Sequence, residues 1–227
     1  MFRKSQRFSA IFHVLCAVIL LATGLNGCRG ARQQGSSGSS VTSTETIVVV
    51  RHGEKAAGGL GQLSCKGLNR ALALPKMLIG RFGRADAVFA PNPSVQVREG
   101  ALSSKRYSYV RPLASIEPTA IALGLPVNTQ IGFPNIAGLQ AAVTAPQYAN
   151  STVFIAWEHK YAYDFAREML RSYRLDRAQV PFWPSEDFET VYVFRIRRSA
   201  GATQPMMTFT TEQEGLSGSL PDTCPSR

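Results

Sequence analysis

The chain has 227 residues, 44% of them hydrophobic, enough for one sizeable core or at most two small ones, so a single enclosed domain is the default expectation. Its formal net charge of +10 suits anionic substrates or an anionic membrane face. Nucleic acid is disfavoured because the basic residues are scattered, with no aromatic-interleaved patch. A zinc site is disfavoured because the cysteines show no CxxC or Cys/His spacing.

Residues 1–27 place Arg3, Lys4 and Arg7 before an apolar run from Ala10 to Leu25. That run is short for a membrane span and is flanked as a secretory signal is. Removing this segment lowers the net charge from +10 to +7. The run closes with LNGC, Leu25 to Cys28, which resembles the lipobox of bacterial lipoproteins. The resemblance implies that Cys28 is lipidated and becomes the N-terminus of an exported protein anchored to a membrane, on the periplasmic or outer-membrane face. Ordinary cleavage and an uncleaved anchor helix stay open as alternatives.

Residues 28–45 are almost devoid of apolar side chains, cannot offset the entropy of ordering themselves, and read as a flexible tether. The folded domain is expected over 46–213, followed by a loose tail over 214–227 rich in Gly, Ser and Pro. Cys65 and Cys224 then remain in an oxidising compartment. A disulfide between them, and a buried free Cys65 with a loose Cys224, are both open.

Within the domain, "IVVV" from Ile47 reads as a strand buried on both faces. Ser64 looks like the N-cap of a helix carrying Leu68, Ala71, Leu72, Leu74, Leu78 and Ile79, kinked at Pro75 and ended by Gly80. "ADAVFAP", from Ala85, is a second buried strand, and Asn92 to Val110 shows no clear period. "RPLASIEPTAIALG" is a helix with Pro112 in its first turn and a glycine stop, and "LPVNT" is a short strand. Ala137 to Tyr148 is weakly helical, and "STVFIAW", from Ser151, is another buried strand. The clearest helix follows, with Ala162, Phe165, Ala166, Met169, Leu170 and Tyr173 on one face. "TVYVFRIR" and "PMMTFTTE" form a closing hairpin.

This alternation predicts an α/β layered domain, with ligands beyond the carboxyl ends of the strands. Arg51 and His52 lie at one such end, Glu158 and His159 at another. A guanidinium buried beside an imidazole is costly unless an anion lies between them, and a phosphoryl group suits a planar fork donor. Gly53 would let the backbone pass close to that anion.

The stretch "RHGEK" resembles the signature of the histidine phosphatase superfamily, the phosphoglycerate mutase-like group. "LSCKGLNRALALPKML" is similar to the family's helix after the signature, "VFAPNPS" to a strand that usually ends in Ser-Pro, "RPLASIEPTA" to its arginine helix through Arg111, Ser115 and Glu117, and "VFIAWEHK" to the strand before its second histidine. The likeness runs in order from about Ile47 to Leu170. It implies a three-layer sandwich with a mostly parallel sheet, and a phosphatase in which His52 takes the phosphoryl group as a phosphohistidine. Arg51, Arg111 and His159 would clamp the phosphoryl oxygens, with backbone N–H groups after His159 as further donors and no cofactor or metal required. The partner implied is a small phosphorylated substrate.

Several residues depart from the family pattern. Glu158 stands where a glycine is usual, and either faces the pocket as a general acid or faces the other side of the strand. Glu54 and Glu99 are rivals for that acid. Asn92 could replace the usual serine's hydrogen bond. Arg98, Lys105 and Arg106 either reach the substrate or are solvated. Trp157, Trp183 and the tyrosines 107, 109, 161 and 163 either line an entrance or pack elsewhere. A phosphoryl-transferring mutase and a non-catalytic phosphate-binding lipoprotein are the alternatives to hydrolysis.

Overall fold

The computed structural model describes residues 42–99 and 104–225. The signal segment, Cys28 and the first part of the tether, to residue 41, lie outside the described residues.

Strand β1, Thr42–Arg51, begins four residues before the expected domain start. Residues 42–45, read as tether, are strand because Thr42 to Val50 pair antiparallel with the late strand β9, Thr190–Ser199. Glu45 is fully buried there, and Arg198 donates to its carboxylate at 2.7 Å. The apolar centre of β1, Ile47 to Val50, is at most 1% exposed, each side chain contributing roughly 1.5–3 kcal/mol of burial. A short hairpin follows, β2 (Lys55–Ala56) and β3 (Gly59–Leu63).

Helix α1, Cys65–Phe82, starts where Ser64 Oγ accepts from Gly67 N at 3.1 Å. It passes through Pro75 and Gly80 and stops at Gly83, φ +79°. Gly80 does not end it, and the last turn brings Phe82 against Phe154, ring centroids 6.5 Å apart. The remaining elements are β4 (Ala87–Phe89), the hairpin strands β5 (Gln96–Arg98) and β6 (Arg106–Ser108), α2 (Arg111–Leu123), β7 (Val127–Asn128), α3 (Ile136–Val143), β8 (Thr152–Trp157), α4 (His159–Ser172) and, after β9, β10 (Met206–Gln213). Helix α2 ends at Gly124 in the left-handed region, φ +70°, which glycine adopts without a steric cost.

The main sheet has the order β10-β9-β1-β8-β4-β7. β1, β8, β4 and β7 are mutually parallel, and β9 runs antiparallel to both β1 and β10. Helices α1 and α2 cover one face through Leu74, Leu78, Ile116 and Ala120. Helices α3 and α4 cover the other through Leu139, Val143, Phe165 and Met169. The result is the expected three-layer sandwich.

The segment after Gln213 is not the loose tail its composition suggests. Cys224 forms a disulfide with Cys65 at the start of α1. From the same helix, Asn69 Nδ2 donates to the carbonyls of Pro221 and Thr223 at 2.9 and 2.8 Å. Buried Arg70 gathers Glu54, Glu189 and Glu214, and donates to Ser217 Oγ at 2.8 Å.

Candidate active site

β1 and β8 end side by side, with Arg51 opposite Trp157, and the pairing continues one step further as His52 N donates to Trp157 O at 3.1 Å. Both charged clusters therefore emerge at one edge of the sheet, where the chain order skips from β1 to β4 and later returns with β8. Glycine at position 53 is also required by packing. A Cβ there would lie 2.8 Å from Gly67 O, and a Cβ on Gly67 would lie 2.4 Å from Glu54 O. The pair lets the loop after His52 press against the first turn of α1. Gly53 N donates to Ser115 Oγ at 2.9 Å, and that hydroxyl donates to the Arg111 carbonyl at 2.8 Å. A single buried hydroxyl thus ties the end of β1 to α2. Glu117 on the same helix is exposed.

His52 is fully buried. Its Nδ1 lies 2.7 Å from Gly53 O, a contact that requires the proton on Nδ1 and leaves the Nε2 lone pair available. Nε2 has no hydrogen-bond partner among the described residues. Burial, then the charges of Arg111 and Arg51, hold the imidazole's pKa well below its usual value, outweighing the Gly53 hydrogen bond. The ring is therefore neutral across the physiological range.

Arg51 is also fully buried. Its Nη1 donates to the carbonyls of Ser185 and Asp187, both at 2.7 Å, and its guanidinium lies 3.9 Å from the Phe188 ring centroid. Burial lowers its pKa to about 10, against the opposing charge of Glu158, so it remains a cation. Among the described residues its Nε and Nη2 are unpartnered, as is Nε of Arg111. Arg111 Nη1 is held by the Glu99 carboxylate and lies 3.4 Å from Gly59 O. Unpaired guanidinium donors in a buried setting are costly, and here they belong to the two cations acting on His52.

His159 opens α4 and is 4% exposed. Glu158 caps that helix, its Oε2 accepting from Lys160 N at 2.9 Å and Tyr161 N at 3.2 Å. Its Oε1 lies 2.7 Å from His159 Nδ1, off hydrogen-bond alignment. These N–H groups, expected to be open to a ligand, are occupied by the cap. Burial alone would raise the Glu158 pKa, but the adjoining imidazole and the two N–H donors hold it below the usual carboxylate range. Glu158 faces the cleft, yet it is an ionised cap and not a proton donor at neutral pH.

A cleft of about 340 Å³ opens over this edge, lined by Lys55, Arg98, Glu99, Tyr109, Arg111, Phe133, Glu158, His159 and Tyr161 among others. His52 and Arg51 are not part of its lining. A cavity of similar size beside Asp86, Leu125 and Tyr148 has no basic side chain in its wall.

Glu54 is excluded from the cleft's chemistry because Arg70 binds both of its oxygens. Asn92 accepts from Ser94 N and Oγ in its own turn, which spends the oxygen expected to replace the family's serine. Arg98 reaches the cleft; Lys105 and Arg106 are exposed and do not line it. Trp157 and Trp183 are core residues, while Tyr109 and Tyr161 flank Phe133 in edge-to-face contacts at 5.1 and 5.3 Å and form one wall. Tyr107 and Tyr163 do not line it. Sequence reasoning missed Lys55, Phe133 and the 184–188 segment. Lys55 closes the RHGEK stretch and was visible by position; burial, then Arg111, lowers its pKa. Phe133 and the carbonyls around Arg51 carried no sequence signal.

No family model matches the sequence, and no curated protein matches it. Among solved structures, the chain is similar to a protein assigned as the phosphohistidine phosphatase SixA of Nakamurella multipartitia, with a TM-score of 0.50 and 16% identity over 74% of this chain and 95% of that one. The assigned SixA of Agrobacterium tumefaciens aligns at 0.45 and 12%, covering 73% and 97%. A mycobacterial glucosyl-3-phosphoglycerate phosphatase aligns at 0.46 and 10%, covering 73% and 97%. The chain has the phosphoglycerate mutase-like fold.

Proposed function

We propose that this protein is a histidine phosphatase that hydrolyses phosphomonoesters through a phosphohistidine on His52. The observation that carries the reading is the state of that side chain. It is a buried, neutral imidazole with its proton directed to Gly53 O and its Nε2 unpartnered, acted on by two arginines that keep spare donors. A ring protonated on both nitrogens could not attack phosphorus, so the same cations that favour an anion also keep the nucleophile ready.

In the first step the Nε2 lone pair forms a bond to phosphorus while the ester P–O bond breaks, and the departing oxygen takes up a proton from water in the cleft. In the second step water attacks phosphorus, the P–N bond breaks, phosphate leaves and the proton returns to solvent. Arg51 Nε and Nη2, Arg111 and His159 would hold the phosphoryl oxygens, where charge accumulates in transfer. The solved relative from Nakamurella multipartitia is named for phosphatase action, in keeping with this assignment.

The decisive experiment is hydrolysis of an aryl phosphate by the full chain in detergent with chelator present, beside His52→Ala, together with mass spectrometry of acid-labile phosphate on His52. Turnover that survives chelation and vanishes in the variant supports the mechanism, whereas full activity in His52→Ala refutes it. The lipobox-like LNGC further supports a lipid anchor on Cys28 holding the domain at a membrane. Incorporation of a labelled fatty acid, lost in Cys28→Ser, tests that part.

A further inference from the structure

We infer that Glu99 is a built-in competitor for the phosphoryl seat on Arg111, raising the dissociation constant of every anion alike, so that a substrate must hold on through its non-phosphoryl part. The identity of the anion rests on the phosphatase reading; the competition itself rests on geometry. The Glu99 carboxylate binds Arg111 Nη1 and the pair is almost fully buried, at 8% and 2% exposure. The contact is one-sided, because Nε of the same guanidinium has no partner among the described residues. A phosphoryl group that approaches the Nη1 side competes with that carboxylate for the donor, and one that takes the open Nε side lies beside its like charge, so either way Glu99 weakens the hold.

The placement of Glu99 is built into two hairpins. Gly59 in β3 has φ +78°, and a Cβ there would fall 2.3 Å from Glu99 Oε2. A Cβ on Gly61 would fall 2.1 Å from Ser108 O. At both points β3 gives up a side chain so that the segment carrying β5 and β6 can seat against it, and the Gly59 carbonyl lies 3.4 Å from Arg111 Nη1. Glu54 and Glu158 have other fixed partners, on Arg70 and on the N-terminus of α4, so Glu99 is the carboxylate of the cleft that engages Arg111.

A site whose binding-competent state is populated only in part binds everything more weakly by that fraction. Free phosphate, which has only its oxygens to offer, is then held poorly, and after turnover Glu99 recaptures Arg111 as the product leaves. A substrate recovers affinity through its remaining atoms against the cleft wall of Phe133 and Tyr161 and the cations Lys55 and Arg98.

The test is calorimetric titration of inorganic phosphate into the full chain in detergent, comparing wild type, Glu99→Gln, and Glu99→Gln combined with Arg111→Ala. Neutralising Glu99 is expected to tighten phosphate binding by roughly ten- to a hundredfold, the scale of one hydrogen bond to a charged group, and the added Arg111→Ala to abolish the gain. In aryl phosphate hydrolysis, product inhibition should strengthen by the same factor. Unchanged or weaker phosphate binding in Glu99→Gln, which is what a strut for Arg111 gives, overturns the inference, as does a gain that survives Arg111→Ala. Unchanged binding beside a wild type that turns over phosphate esters sinks only the competitor. Tightened binding without turnover or phosphohistidine keeps the competitor and sinks the phosphatase reading.

Discussion

Replacing Ser115 by alanine tests whether one hydroxyl aligns the two halves of the site. Ser115 Oγ accepts from Gly53 N and donates to Arg111 O. The Arg111 carbonyl keeps the acceptor role that the i→i+4 helical pattern assigns it, so its loss is small. Gly53 N–H has no such substitute, and leaving a buried donor unpaired costs roughly 1–3 kcal/mol. For a domain of this size that corresponds to a fall in Tm of roughly 3–10 °C. The kinetic effect should exceed the thermal one, because the residue held by that N–H, Gly53, also presents the carbonyl that fixes the His52 tautomer. Misorienting a nucleophile by a fraction of an ångström lowers kcat by roughly ten- to a hundredfold, while KM, which follows the arginines, moves little. Differential scanning calorimetry and steady-state kinetics on an aryl phosphate measure both. Ser115→Thr, which keeps the hydroxyl, should recover most of kcat. Unchanged kcat and Tm in Ser115→Ala would show that the hydroxyl aligns nothing.

Two further expectations concern the support of the site. Cys224→Ser opens a covalent loop with a sequence separation of 159, for which loop entropy gives about 5 kcal/mol as an upper figure and native disulfides typically 2–5. Tm should fall by roughly 10 °C, a reductant should do the same to wild type, and a shift under about 2 °C in calorimetry would contradict the tail's role. Glu214 is buried, and burial together with its carboxylate neighbours Glu189 and Glu54 raises its pKa to about 8 despite Arg70. A raised carboxyl stays protonated in the fold while the unfolded chain ionises, so wild-type stability declines as pH rises from the ordinary carboxylate value towards 8. Glu214→Gln lacks this decline, and its Tm relative to wild type should increase from pH 5 to pH 8 and then level off; a pH-independent difference would place the proton elsewhere.

The fold was readable wherever one element's own pattern decided it. The unbroken apolar run of β1 announced a strand covered on both faces, and the three- and four-residue spacing after His159 announced α4. Arg51 with His52, and Glu158 with His159, were readable as candidate site residues because each pair sits where a buried strand ends. What escaped were features made by distant segments meeting. The carbonyls that hold Arg51 come from residues 185 and 187, with no periodicity to mark them. Glu99 follows a three-residue strand in a hairpin of exposed, alternating side chains, too short to register. Strand status for Thr42 to Glu45 depended on β9 being alongside, and the order of the tail on Asn69 and Arg70 sharing a helix with Cys65. The direction of Glu158, pocket or far side of the strand, stays open in the sequence, while its place two and three residues before free helical N–H groups already fits a cap.

The sheet order has a consequence for how the molecule comes into being. β1 is made first among the described strands, yet its neighbours are β8 and β9, more than a hundred residues later in the chain. Until those arrive, the Ile47–Val50 run has no strand beside it and its apolar surface is exposed. Such long-range pairing is slow and leaves the nascent chain vulnerable to association. Arg51 and His52, held by groups near residues 157 and 185, acquire their environment only when almost the whole domain has emerged. Assembly of the site and completion of the fold are therefore coupled, and a chain truncated before β8 would carry the RHGEK stretch without its neighbours at residues 157, 185 and 187.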